Sequence, residues 1–117
     1  MPIVLIVENV PVVSEDIAET VRTQLPDADT VTATSLKDAE DIVVTGTDIR
    51  LCIVSGSAAA PRLEGLARAL AERQVPTVVM TNHQVVVDMF DERAEILGKP
   101  FSTQMLSDAL RNLNLSD

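Results

Sequence analysis

Ile3-Val4-Leu5-Ile6-Val7-Glu8-Asn9 opens the chain with five branched aliphatic residues in a row, then an acid and an amide. An apolar run without polar alternation is the pattern of a strand covered on both faces. Such strands belong to parallel sheets packed between helices, because a sheet with one wet face reads as alternating. Leu51-Cys52-Ile53-Val54 is a second continuous run, ending in Ser55-Gly56-Ser57. Pro76-Thr77-Val78-Val79-Met80 is another, with proline at its start, where no ladder donor is lost. Ala28 to Ala33, centred on Thr30-Val31-Thr32, is β-prone but less apolar and suits a strand nearer an edge. Ala94 to Leu97 supplies a short fifth strand.

Amphipathic stretches separate these runs. Val13, Ile17, Val21 and Leu25 recur at helical spacing, with Ser14-Glu15-Asp16 as the cap candidate and Pro26 as the stop. Ser35 begins a second helix, and Gly46 is placed to terminate it. After Pro61, Leu63, Leu66, Ala67 and Leu70 share one helical face, with Glu64, Arg68, Glu72 and Arg73 outside it. Val85 to Phe90 reads as a short helix because the alternation requires one there, although Val85-Val86-Val87 is equally strand-like. Ser102 caps a last helix whose inward positions are Met105, Leu106, Ala109, Leu110 and Leu113.

A β-α unit repeated five times with short connections predicts a three-layer, doubly wound (βα)5 sandwich around a five-stranded parallel sheet. The first and third strands are the most apolar and therefore central, which gives the flavodoxin-like order 2-1-3-4-5. A length of 117 residues predicts a single domain over residues 1–117 with no output domain, and is too short for an eight-stranded barrel. In this fold the crevice lies at the carboxyl ends of the central strands. The residues there are Glu8 and Asn9, Ser55, Thr81, and Lys99 with Pro100.

Composition narrows the function. The net charge of −9 and scattered Lys and Arg offer no basic footprint for nucleic acid, and Phe90 and Phe101 are the only aromatic residues for base stacking. An acidic surface instead suits a basic partner patch. Cys52, the one cysteine, sits among Leu51, Ile53 and Val54 and reads as a small buried hydrophobe in a reducing compartment. No basic-flanked leader and no apolar run of membrane-spanning length is present, so a cytoplasmic location without membrane contact is expected. His83, the one histidine, reads as a solvated loop residue, and no metal ligand set assembles around it. The spacing of Ser55-Gly56-Ser57 lacks the phosphate-loop pattern.

The four crevice positions resemble the motifs of a response-regulator receiver (CheY-like) domain, and the likeness covers essentially the whole chain. Val4-Leu5-Ile6-Val7-Glu8-Asn9 lies over that family's acidic pair, and Leu51-Cys52-Ile53-Val54-Ser55 over its phosphoacceptor strand. Val78-Val79-Met80-Thr81 and Lys99-Pro100-Phe101 lie over the remaining two motifs, the Lys-Pro step being the most specific. The departures are chemical. Ser55 stands where the resemblance implies an aspartate, and a hydroxyl needs a general base to attack phosphorus. Asn9 stands where a second acid would hold Mg²⁺, a hard ion that wants carboxylate oxygens, so weak or no Mg²⁺ binding and no other cofactor is expected. Ile96 occupies the switch-aromatic position.

Glu8, Asn9, Ser55, Thr81 and Lys99 thus form a degenerate phosphorylation pocket, in which Lys99 is expected to pair with Glu8 and Ser55 to cap a turn into Gly56. The resemblance implies two-component or phosphorelay-type signalling. The chain reads as a non-enzymatic pseudo-receiver that binds a protein partner, such as a signalling protein or kinase, or a second copy of itself. Val86, Met89, Phe90 and Phe101 are either half-buried packing residues or that interaction surface. Two alternatives stand beside this reading. One is binding of a small anion or nucleotide at Thr81 and Lys99. The other is a phosphorelay receiver with an unexpected acceptor, for which Asp48 is the candidate by type.

Overall fold

The computed structural model describes residues 2–46, 48–55, 60–90, 94–98 and 101–113. Strands β1 (Ile3–Val7), β2 (Asp29–Ala33), β3 (Ile49–Val54), β4 (Thr77–Met80) and β5 (Glu95–Leu97) alternate with helices. The helices are α1 (Pro11–Gln24), α2 (Leu36–Val44), α3 (Ala60–Glu72), α4 (Gln84–Val87) and α5 (Thr103–Asn112). All neighbouring strands are parallel, in the order β2-β1-β3-β4-β5. The fold expected from the apolar runs is the fold observed.

Two cores lie on opposite faces of the sheet, set by the period-2 alternation of strand side chains. Val4, Ile6, Leu51, Ile53, Val78 and Met80 point to one face and pack under Ile17 and Val21 of α1 and Leu106 and Leu110 of α5. Leu5, Val7, Cys52, Val54 and Val79 point to the other, beneath Ala39 and Val43 of α2, Leu63, Leu66 and Leu70 of α3, and Val86 of α4. The central strands are continuous in sequence because both faces are covered. β2, with Val31 and Thr32 exposed, is an edge.

Helix ends follow their local chemistry, with one correction. Ser35 and Ser102 accept hydrogen bonds from the amides of Asp38 and Met105, each at 3.1 Å, as N-caps do. Gly46, at φ +86°, follows the Thr45 cap of α2 in the left-handed conformation that glycine adopts without strain. Ser14, however, does not cap α1. The helix begins three residues earlier at Pro11, whose ring pre-sets a helical φ, and the Ser14 hydroxyl donates back to the Pro11 carbonyl at 3.0 Å. The inward face of α5 also differs from expectation: Met105 is exposed, and Ser107 is buried in its place beside Leu106.

Candidate functional site

The carboxyl ends of β1 and β3 are adjacent, with Val7 opposite Val54 and the Ser55 amide donating to the Val7 carbonyl at 2.9 Å. That register makes Glu8 and Ser55 immediate neighbours. The Ser55 hydroxyl donates to Glu8 Oε1 at 2.7 Å, and both residues are buried, at 7% and 4% exposure. Glu8 Oε2 accepts the Val10 amide at 3.0 Å, just ahead of α1, whose own N-cap residue Val10 supplies no side-chain acceptor. One carboxylate therefore ties the end of β3 to the start of α1.

Thr81 sits at the end of β4, nearly buried, its amide bound to the Leu97 carbonyl at 2.8 Å. Its hydroxyl accepts the His83 amide at 3.1 Å, which turns the chain into α4. His83 itself is the exposed N-cap residue of that helix. Asn9 is exposed beside Glu8. Of the five pocket residues expected from sequence, Glu8 and Ser55 are brought into direct contact, and Thr81 lies on the next strand but one from Glu8. Lys99, with its expected pairing to Glu8, lies outside the described residues, as do Pro100 and Gly56.

The Ser55–Glu8 bond was not anticipated. Both residues follow their apolar runs at the same step, and the adjacency of the first and third strands is the signal that would have found it. Ser55 therefore gives its hydroxyl proton to a carboxylate across the sheet, while the turn into Gly56 that it was expected to cap lies outside the described residues.

Among the described residues the pocket presents a poor donor set for a divalent cation. Mg²⁺ prefers carboxylate oxygens in octahedral array. Here the one buried carboxylate already accepts a hydrogen bond on each oxygen, its sequence neighbour is a neutral amide, and the residue facing it is a hydroxyl. Among the described residues no three His, Cys, Asp or Glu side chains converge.

Ile96 lies on β5 opposite Val79 and is partly exposed. Val86 is a correction: at 6% exposure it belongs to the core under α4, and Val85, at 61%, is the outward valine. Met89, Phe90 and Phe101 are partly buried against the cores. Asp48 immediately precedes β3, at the opposite end of the sheet from Ser55, and its carbonyl accepts the Ile3 amide at 2.9 Å. Cys52 is completely buried, and desolvation pushes its thiol from an ordinary 9.0 up to about 12. No helix among the described residues is long and apolar enough to cross a membrane.

No family model and no curated protein matches the chain. Solved structures do. SdrG from Sphingomonas melonis Fr1 is 27% identical over 97% of both chains, with a TM-score of 0.67. A response regulator receiver protein from Sinorhizobium medicae WSM419 is 14% identical, covering 97% of this chain and 94% of its own, at a TM-score of 0.72. The chemotaxis protein CheY4 of Vibrio cholerae is 16% identical, covering 97% and 98%, at 0.70. The chain thus has the CheY-like fold of response-regulator receiver domains.

Proposed function

We propose that this chain is a pseudo-receiver: a cytoplasmic signalling module of the two-component type that works by protein contact and is not switched by aspartyl phosphorylation. The observation that carries the reading is the buried hydrogen bond from Ser55 Oγ to Glu8 Oε1 at 2.7 Å. In a receiver pocket, clustered carboxylates repel one another until a cation or phosphoryl chemistry relieves them. Here a hydroxyl proton does that work permanently, so the pocket is satisfied without metal or phosphate. The likeness to receiver structures supports the signalling class. Val85, Ile96 and Met105, exposed apolar side chains on α4, β5 and α5, offer the contact surface for a partner protein or a second copy.

The test is intact mass after incubation with acetyl phosphate and Mg²⁺, read beside Ser55→Asp. An unmodified native chain beside a phosphorylated variant is the expected result. A stoichiometric phosphate adduct on the native chain would overturn the reading and return a conventional phosphorelay role.

A further inference from the structure

β2 is the longer of the two sheet edges, five residues against three in β5. Exposed edges are ordinarily blunted by proline, a bulge or charge, because their outward backbone groups invite another strand. Thr30-Val31-Thr32 carries none of these, and its pairing with β1 runs without a register shift. The Glu8 amide donates to the Ala33 carbonyl at 3.1 Å, so Ala33, and by alternation Val31, turns its backbone groups toward β1. Thr30 and Thr32 therefore turn their N–H and C=O groups outward. Val31 between them is 36% exposed.

This edge is complementary to itself. It reads the same in both directions about Val31, so a second copy laid antiparallel puts Thr30 opposite Thr32 and Val31 opposite Val31. The outward amides and carbonyls then fall in phase. Each Thr30–Thr32 pair exchanges both backbone hydrogen bonds, and the Val31 pair takes the narrow, non-hydrogen-bonded site where side chains are closest. Charge follows the same symmetry. Asp27 and Asp29 stand at the entry to the strand and Lys37 in the first turn of α2 just past its exit, and all three are exposed. None of them is in an ion pair among the described residues. Antiparallel pairing brings the acids of each copy toward Lys37 and the α2 N-terminus of the other, whereas parallel pairing sets acid beside acid.

We infer that β2 is a self-association edge, joining two copies of this chain about a two-fold axis at Val31 into one continuous sheet. The occupant is a second copy because an edge with acids at one end and a lysine at the other is matched by itself in one antiparallel register. It lies at the opposite side of the sheet from β5 and its exposed Ile96. This inference does not depend on how the Glu8–Ser55 pocket functions.

The experiment is sedimentation of the full chain over a concentration series, read beside cross-linking of cysteine variants. A monomer–dimer equilibrium is expected, weakened about tenfold or more by Val31→Lys, which sets like charges face to face. Lys37→Glu should weaken it as well. Adding Asp27→Lys and Asp29→Lys to that variant should restore it, a recovery that a folding defect would not show. Val31→Cys should form a disulfide between copies under oxidised glutathione, because Cα atoms in a non-hydrogen-bonded pair lie about 4.5 Å apart, inside the disulfide range. Val12→Cys on α1, at a more exposed position, should not, and the native Cys52 is completely buried. A chain that stays monomeric up to millimolar concentration would overturn the proposal. So would a dimer that survives Val31→Lys and is lost in Val85→Lys, or a Val31→Cys variant that cross-links no faster than Val12→Cys.

Discussion

Ser55→Ala removes the donor to Glu8 Oε1 and leaves that oxygen facing a buried, dry neighbour. A loss of about 1–3 kcal/mol in urea denaturation is expected, the cost of an unsatisfied buried acceptor. Ser55→Asp goes further, setting a second carboxylate against the first. Like charges raise the carboxyl pKa in the folded state, so this variant binds more protons folded than unfolded in the mildly acidic range. Its stability should therefore rise as pH falls from 7 toward 5, opposite to the usual salt-bridged carboxylate. Added Mg²⁺ should raise its thermal midpoint and leave that of the native chain unmoved. Cys52 gives a second pH signature. Its folded pKa of about 12 lies above the ordinary 9.0, so its contribution is complete below pH 9 and is lost as pH rises toward 12. At pH 10 the native chain should have lost on the order of 1 kcal/mol relative to a Cys52→Ala reference, compared by denaturation at pH 7 and 10. Its alkylation should wait on unfolding, because the thiol is both buried and protonated.

At the scale of elements, the C-terminus of α3 holds a measurable strain. The Val75 amide reaches the Leu70 carbonyl at 3.0 Å and the Gln74 amide reaches Ala71 at 3.1 Å, the paired bonds of a Schellman ending. Gln74 must then take φ +56°, a conformation that costs a residue with a Cβ. Gln74→Gly should stabilise the protein by about 1 kcal/mol in thermal or chemical melts, despite the added freedom of glycine in the unfolded chain. Ser35→Ala and Ser102→Ala should each cost about 1 kcal/mol, since each removes a side-chain cap. The helices also differ in how closely they approach. A Cβ on Gly65 of α3 would meet Glu40 Oε2 of α2 at 2.8 Å, so Gly65 admits the α2 side chain that lies across it. That atom is the far end of a flexible, partly exposed side chain, which can move aside.

For the whole molecule, the net charge of −9 is only partly relieved by local pairing. The ion pairs Arg22–Glu15, Arg68–Glu64 and Arg111–Asp108 are all well exposed, and such pairs contribute between about 0 and 1 kcal/mol each. Self-repulsion acts over longer distances and is screened within about 8 Å at physiological ionic strength. Raising NaCl should therefore raise the thermal midpoint; a fall would mean that local pairs outweigh the net charge. The two cores should respond alike to truncation. Leu106→Ala on one face and Leu66→Ala on the other should each cost about 2–5 kcal/mol, because both side chains are fully buried and leave cavities. Met105→Lys, one residue from Leu106 but exposed, should be nearly neutral.

The strand order was legible in sequence because continuous apolar runs at β1 and β3 demand cover on both faces, whereas Thr30-Val31-Thr32 does not. Caps at Ser35 and Ser102 were legible because N-capping is local chemistry. The start of α1 is not fixed by local sequence, because Ser14 and Pro11 are both start signals within one turn; the structure starts it at Pro11, with the Val10 amide bound by Glu8. The inward face of α5 was off at Met105 because helical spacing defines a stripe, while the width of that stripe depends on where α1 lies. Proton donors and acceptors were the least legible. Glu8 and Ser55 are separated by 47 residues, and no local pattern states that one hydroxyl proton will serve that carboxylate. Sequence by itself determined the elements, their periods and the order of the sheet, since these rest on short-range sterics and burial of whole faces. Only the tertiary structure decided which polar atoms meet, because hydrogen bonds depend on ångström-scale register between strands that the chain joins through a helix.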